Sequence, residues 1–263
     1  MRLRYTSTGS RKEEGPPTTI PVAYICCFCG AIMKSKDLKL LRKALAKANR
    51  LDYNPLEGME EKSLQIQIFQ PIRTEDSVVV PIEAGVVVPS SIVLSITYVP
   101  SAAKLPGKIF QECLRLFEKN MADQYRNSSW GLNMDEKMEE LRHANARFLL
   151  LTRNGGSEDD TALAGFAHFR FDYDDEESPT QPVVYIYEIQ IDELHQRQGL
   201  GKKVMEVIEK ITLNGGFKKI MLTVFKENVG ALQFYEQLNF AVDDCSPSKY
   251  NEPADYEILS KIL

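Results

Sequence analysis

No complete metal-ligand spacing is present in this chain. Cys26 and Cys29 form one CxxC pair, but no second CxxC and no HxxxH follows. A structural zinc site takes about four ligands, so these thiols read as ordinary cysteines in an apolar run. The five cysteines (Cys26, Cys27, Cys29, Cys113 and Cys245) are odd in number, and three are crowded together. That is not a disulfide framework and points to a reducing compartment. A spanning hydrophobic run is also missing. The longest candidate, Ile20 to Met33, has 14 residues, against about 20 for a helix that crosses a bilayer. Arg2, Arg4, Arg11 and Lys12 precede it, as in a signal or transit peptide. Glu13, Glu14, Pro16 and Pro17 interrupt that pattern and argue against export. There is no excess of positive charge. With 32 Lys and Arg against 37 Asp and Glu, the net charge is −5. The chain as a whole is not built to sit on nucleic acid, although its acidity allows a basic partner. Finally, neither a GxxxxGK[ST] P-loop nor a GxGxxG dinucleotide fingerprint occurs.

What is present is an ordinary globular composition, 43% hydrophobic and 26% charged. The length suits one domain with additions, or two small ones. Residues 1–34 show no helical or strand period and read as a poorly ordered tail. Residues 35–104 form a second region. Ser35 caps an expected helix to Arg50, with Leu38, Leu41, Leu45 and Ala48 on one face. Lys39, Lys43 and Lys47 make a basic stripe, best read as its solvated face. Leu64 to Phe69 alternates as a half-buried strand. The Pro- and Val-rich residues 70–92 read as an edge hairpin or insertion, and Ile92 to Tyr98 as another strand.

From residue 105 to 263 the pattern becomes regular. Helices are expected over Pro106–Asp123, Asn133–His143, Gly201–Leu213 and Asn228–Leu238. Strands are expected over Arg147–Arg153, Leu163–Asp172, Val183–Ile191, Lys219–Val224, Phe240–Asp243 and Ala254–Ile262. Asn154-Gly155-Gly156 turns the chain, and an acidic turn follows Asp172. Val183–Ile191 has few polar breaks and reads as a strand buried on both faces. The order implies an α/β (α+β) fold, a mixed central sheet with helices on both faces.

The sharpest motif is Gln196-Arg197-Gln198-Gly199-Leu200-Gly201-Lys202, between the apolar strand and an amphipathic helix. Glycines there allow positive φ and close approach to an anion. The helix start then offers unpaired N–H groups to a phosphate. The turn resembles the Q/R-x-x-G-x-G/A pyrophosphate motif of the GNAT acetyltransferases. Downstream, Asn228, Ala231, Tyr235 and Phe240 resemble the family's N-x-x-A-x-x-x-Y-x-x-x-x-F helix. Further stretches resemble one subfamily, the D-type N-alpha-acetyltransferases (NatD): Ser128-Ser129-Trp130-Gly131, His168-Phe169-Arg170-Phe171-Asp172, Tyr185-Ile186-Tyr187-Glu188, Leu222-Thr223-Val224-Phe225-Lys226 and Asp255-Tyr256-Glu257-Ile258-Leu259. The likeness covers about residues 105–263, with a weaker one through Arg42–Glu57, where Ala48-Asn49-Arg50 is family-like.

The resemblance implies a GNAT fold with an N-terminal extension, acetyl-CoA as acetyl donor and no metal. It implies transfer to the N-terminal amine of Ser-Gly-Arg-Gly histone tails, in nucleus and cytoplasm. No direct nucleic-acid or membrane partner is expected, and the sequence leaves the oligomeric state open, a monomer included. Gln196, Arg197, Gln198, Gly199, Leu200, Gly201 and Lys202 would hold the pyrophosphate, and Ile189, Gln190, Ile191 and Asn228 the pantetheine arm. Glu188, an acid inside an apolar strand, suits a general base, because burial raises a carboxyl pKa. Tyr235 resembles the tyrosine placed near the cofactor sulfur, a candidate acid, and Tyr187 joins the catalytic set. His168 is the rival base, although a lone His in a strand is more often structural. Asp172 would pair with a substrate arginine. Tyr125, Trp130, Tyr185, Tyr187, Thr223 and Tyr256 would line the peptide groove. For each of these, burial in the core is the competing reading. Trp130, the only Trp, lies in a polar stretch that favours the surface. Acetylation of another amine, or a silent binding module, stays open.

Overall fold

The computed structural model describes residues 35–50, 52–57, 59, 64–69, 91–153, 162–174 and 180–263. The N-terminal tail, residues 70–90, the Asn154-Gly155-Gly156 turn and Asp175 to Glu177 lie outside the described residues.

Among the described residues, eight strands form one mixed sheet in the order β1-β2-β3-β4-β5-β6-β8-β7. They are β1 (Gln65–Phe69), β2 (Ser91–Val99), β3 (Arg147–Arg153), β4 (Leu163–Tyr173), β5 (Pro182–Ile191), β6 (Lys219–Phe225), β7 (Ala241–Val242) and β8 (Tyr256–Ile262). All pairings are antiparallel except β5 with β6. That parallel step needs a crossover, supplied by α4 (Leu200–Asn214). The strand expected over Phe240–Asp243 is only the two residues of β7, both exposed at the sheet edge.

The two faces of the sheet carry separate cores. On one side α4 buries Val204, Met205, Ile208 and Ile211 against Val184, Ile186, Ile220 and Leu222. The helix α1 (Ser35–Ala48) packs Leu45 and Ala48 on the same side. Its end is tied down by Arg147, fully buried, whose Nη2 donates to Asn49 O at 3.0 Å. Asn49 Nδ2 in turn donates to Phe171 O at 3.2 Å. The region before residue 105 thus joins the same sheet through β1 and β2. On the other side, α2 (Gly107–Asn127) buries Ile109, Phe110, Cys113, Leu114 and Phe117 against Phe148 and Phe166. The helix α3 (Met134–Arg142) lies beside it, capped by Asn133 Oδ1, which accepts from the amides of Asp135 and Glu136. The last helix, α5 (Val229–Gln237), is capped by Asn228, whose Oδ1 accepts from Ala231 N at 3.1 Å.

Two irregularities in β5 shape everything that follows. First, β5 and β6 pair only from Val184/Ile220 to Ile186/Leu222. Both strands continue beyond that point without a shared ladder, so the sheet opens. Second, the β4–β5 register slips. His168 faces Glu188, Phe169 faces Ile186, and Tyr187 is the extra residue of a β-bulge. The strand expected to be buried on both faces therefore alternates between buried and half-buried from Ile186 onward, because β6 no longer covers it.

Candidate active site

The opening between β5 and β6 is a cleft of about 700 Å³, part of it continuous with solvent. A bulge shifts side-chain parity by one, so Tyr187 and Glu188 both face the side that carries α2 and α3. Tyr187 stacks on His168 with ring centroids 4.9 Å apart. Glu188 reaches Lys137 Nζ at 2.8 Å. Without the bulge, Glu188 would point into the apolar core under α4.

Glu188 is buried, and its two oxygens have different partners. Oε1 accepts from Lys137, and Oε2 accepts from Gln190 Nε2 at 2.6 Å. Gln190 Oε1 accepts from Asn120 Nδ2 at 3.0 Å, which fixes the amide's orientation. Burial raises the Glu188 pKa above the usual carboxylate range, and the Lys137 ammonium opposes that rise. Lys137 also donates to Glu140 at 2.7 Å and to Tyr125 Oη at 3.3 Å. Tyr235 lines the same cleft from α5. Burial first, and the nearby Glu188 second, raise its phenol pKa, so it is protonated at neutral pH.

His168 has no exposed surface and lies between Phe148 and Tyr187. Desolvation, then the neighbouring Arg170 and Lys137, push its pKa well below 6.5. Among the described residues, neither ring nitrogen has a hydrogen-bond partner. It is a neutral wall of the core and does not border the cleft.

The backbone of β5 divides its groups between β4 and the cleft. Asp192 N donates to Ala164 O at 2.9 Å, which marks a hydrogen-bonded pair. By alternation along an antiparallel ladder, Gln190 pairs with Phe166 while Ile189 and Ile191 turn their amides and carbonyls toward the opening. Ile191 O is taken by Asn120 Nδ2 at 3.1 Å and Gln196 Nε2 at 3.0 Å. The Ile189 groups and the Ile191 N–H are directed at the gap. Gln190 contributes through its side chain, as an orienter of Glu188.

Beyond β5 the chain turns sharply. Arg197 has φ 61° and Gly199 φ 81°, both left-handed. Gln198 Nε2 donates to Leu194 O at 3.2 Å and braces the turn. Gly199 is the N-cap of α4 and offers no side chain. Lys203 N donates to Gly199 O at 3.0 Å, beginning the helical ladder. The amides of Leu200, Gly201 and Lys202 precede it, so they are the open N–H groups of the helix start. A Cβ on Gly201 would stand 3.1 Å from the Phe234 ring. That contact seats the turn against α5, next to Tyr235. Asn228 uses its Oδ1 as the α5 cap, which leaves its amide nitrogen for other donation.

The aromatic residues gather on the α2 side. Tyr185 and Thr223 approach to 2.6 Å between their oxygens. Trp130 lies 5.1 Å from both Phe225 and Tyr256, ring to ring, and 6.1 Å from Tyr125. It is half-buried in this cluster rather than free on the surface. Its loop is anchored by Ser129 N, which donates to Asp255 at 2.5 Å. Tyr125, Trp130, Tyr185, Tyr187 and Thr223 all border the cleft, whereas Tyr256 supports Trp130 from behind. Asp172 does not border it. It stands at the end of β4 opposite Val183, on the face shared with His168 and Arg170, and its Oδ1 accepts from Tyr173 N at 2.9 Å.

Lys137 and Glu140 are site residues that sequence reasoning did not single out. The available signal was spacing: Met134, Met138 and Leu141 pack inward, and Lys137 falls in the same helical stripe. Among the described residues, no group of three or more His, Cys, Asp or Glu is placed to hold a metal ion, and no helix is long and apolar enough to cross a membrane.

The sheet opened by a bulged strand, with a glycine turn and helix start at its mouth, is the GNAT fold. Residues 111–240 match the acetyltransferase (GNAT) family. One curated relative is N-alpha-acetyltransferase 40 of Saccharomyces cerevisiae, 24% identical over 164 residues. That match covers 54% of this chain and 54% of the relative, so about half of each. Similar solved structures include Arabidopsis thaliana NAA60 in complex with a bisubstrate analogue, at 14% identity and a TM-score of 0.45. That similarity covers 64% of this chain and 99% of the other. A Thermoplasma acidophilum N-acetyltransferase in complex with coenzyme A has 16% identity and a TM-score of 0.44, covering 64% of this chain and 99% of the other.

Proposed function

We propose that this protein transfers the acetyl group of acetyl-CoA to the free N-terminal amine of a protein, and that its substrates are histone tails beginning Ser-Gly-Arg-Gly. The observation that carries this reading is the pairing of Glu188 and Tyr235 on the walls of one cleft, beside a bulged strand that points backbone groups into it. Acetyl transfer needs a base on the amine side and a proton donor on the sulfur side, and the cleft offers the carboxyl group of Glu188 and the protonated phenol of Tyr235.

In this reaction the amine nitrogen attacks the thioester carbonyl carbon and the carbon–sulfur bond breaks. Glu188 takes the proton lost by the amine, directly or through one water, and Tyr235 protonates the departing thiolate. The Gly199/Gly201 turn receives the pyrophosphate on open amides. The cleft-facing groups of Ile189 and Ile191 align the pantetheine, and an amide there stabilises the oxyanion. Positioning by these contacts supplies much of the rate.

The relative named N-alpha-acetyltransferase 40 supports an N-terminal amine as acceptor, and the histone part of the reading rests on the resemblance to NatD and on the aromatic lining of Tyr125, Trp130, Tyr185 and Tyr187. A small, flexible N-terminus fits such a lining. Nucleus and cytoplasm are the compartments where these tails are met. The test is a panel that measures acetyl-CoA consumption with a Ser-Gly-Arg-Gly peptide, polyamines, free lysine and acetyl-blocked peptide. The tail peptide should give the highest kcat/KM and the blocked peptide none. Preference for polyamine or lysine would overturn the histone reading.

A further inference from the structure

The Lys137 ammonium holds two buried carboxylates at once, Glu188 at 2.8 Å and Glu140 at 2.7 Å. All three side chains are buried. A lysine is rarely buried to this degree unless paired, and this one comes from a different element than Glu188, 51 residues away. Its ammonium also lies 4.6 Å from the Phe117 ring centroid. Three hydrogen-bond acceptors, Glu188, Glu140 and Tyr125 Oη, thus match its three protons.

We propose that Lys137 is a positioning residue that keeps the Glu188 carboxylate ionised and fixed in the cleft wall, so that it accepts the proton of the attacking amine. This inference rests on the reading of Glu188 as the base. The physical reason is desolvation. Burial favours the neutral acid, and a neutral Glu188 has no use as a base. Lys137 supplies a compensating charge in a fixed direction. With Gln190 on the other oxygen, each carboxylate oxygen retains a lone pair for the amine proton. The lysine itself neither gains nor loses a proton. Glu140 has the opposite effect on Glu188, since a second anion disfavours ionisation, and it anchors the lysine in place.

The groups that face Glu188 come from every element around it. They are Tyr125 from α2, Lys137 and Glu140 from α3, His168 and Arg170 from β4, Tyr235 from α5, and Tyr187 on its own strand. His168 is held neutral. Arg170 is engaged with Glu140 O at 2.6 Å and with the Tyr187 ring. Among the described residues, Lys137 is the cation in direct contact with the Glu188 carboxylate.

The test compares the native protein with Glu140→Gln, Lys137→Arg and the double variant Lys137→Met/Glu140→Gln. The double variant removes the lysine without leaving Glu140 as an uncompensated anion, so it folds where Lys137→Met alone is at risk. Two quantities are read: the acid limb of kcat/KM against pH, and the Glu188 carboxyl titration by carbon NMR in the substrate-free protein, assigned by its loss in Glu188→Gln. The double variant should titrate at least about one unit higher, with kcat/KM about tenfold lower on the acid side and recovering as pH rises. Glu140→Gln should shift the limb the other way, and Lys137→Arg should stay close to native. Identical Glu188 titrations in all four proteins would overturn the proposal. So would losses that are equal at every pH, the mark of a merely structural role. If Glu188→Gln kept near-normal kcat, the base reading would fail, whereas the NMR titration would still report whether Lys137 controls the carboxylate.

Discussion

Tyr185 Oη and Thr223 Oγ1 lie 2.6 Å apart, one residue from the last paired rung of β5 and β6. The bond closes the floor of the cleft at the point where the two strands part. On the same face, Trp130 and Tyr125 pack on Phe225. A peptide N-terminus entering this side meets hydroxyls at the bottom and aromatic rings on the walls. Tyr185→Phe removes the bond and retains the ring. It should raise KM for the tail peptide with acetyl-CoA affinity unchanged. A raised KM for acetyl-CoA alone would place this floor on the cofactor side instead.

Glu188→Gln keeps the shape and the hydrogen-bonding reach of the side chain but cannot accept the amine proton. A fall in kcat of about 10²-fold or more is expected, with little change in acetyl-CoA binding. Steady-state kinetics at neutral pH check this. A near-normal kcat would assign proton removal to bulk water.

The start of α4 should be sensitive to charge more than to volume. Gly201→Ala adds a Cβ 3.1 Å from the Phe234 ring, which must yield slightly. Gly201→Glu adds that strain and an anion among the open amides. Calorimetry should show a modest loss of acetyl-CoA affinity for the first and a large loss for the second, both with native circular dichroism. Equal affinities for the two variants would dissociate the turn from phosphate binding.

Much of this arrangement was legible in the chain. The alternation of Leu64 to Phe69, the stripe of α4 and the Gln196–Lys202 turn follow from spacing alone. The bulge at Tyr187 did not, because a slipped register leaves no mark on an apolar strand until its neighbour is known. The same strand looked buried on both sides, since nothing local records that β6 departs after Leu222. Lys137 was hidden for another reason. It stands among Asp135, Glu136 and Glu139, where a lysine reads as solvent-facing. Its partner is on a strand that only tertiary folding brings near. Asp172, singled out for its charge, belongs to the strand end and does not border the cleft.

His168 gives a pH dependence of stability whose sign is set by its burial. Its folded pKa lies well below 6.5, so below that value the unfolded chain binds a proton that the folded chain does not. Stability from this group is therefore full above the unfolded pKa and is lost as pH falls beneath it. Between about pH 7.5 and about pH 5.5 the loss is on the order of 1 kcal/mol. His168→Phe keeps a ring between Phe148 and Tyr187 and removes the titration. Urea unfolding at the two pH values should show a drop smaller by about that amount. An unchanged drop would mean that His168 is protonated in the folded protein.

The proposed function turns on which nitrogen is acetylated. It is tested most directly by tandem mass spectrometry of a peptide that begins Ser-Gly-Arg-Gly and carries lysines further on, after incubation with the protein and acetyl-CoA. A single acetyl group on the serine α-amine is the expected product, with none in the Glu188→Gln variant over the same time. Acetylation of the lysine side chains, or an unmodified peptide with acetyl-CoA intact, would contradict the account.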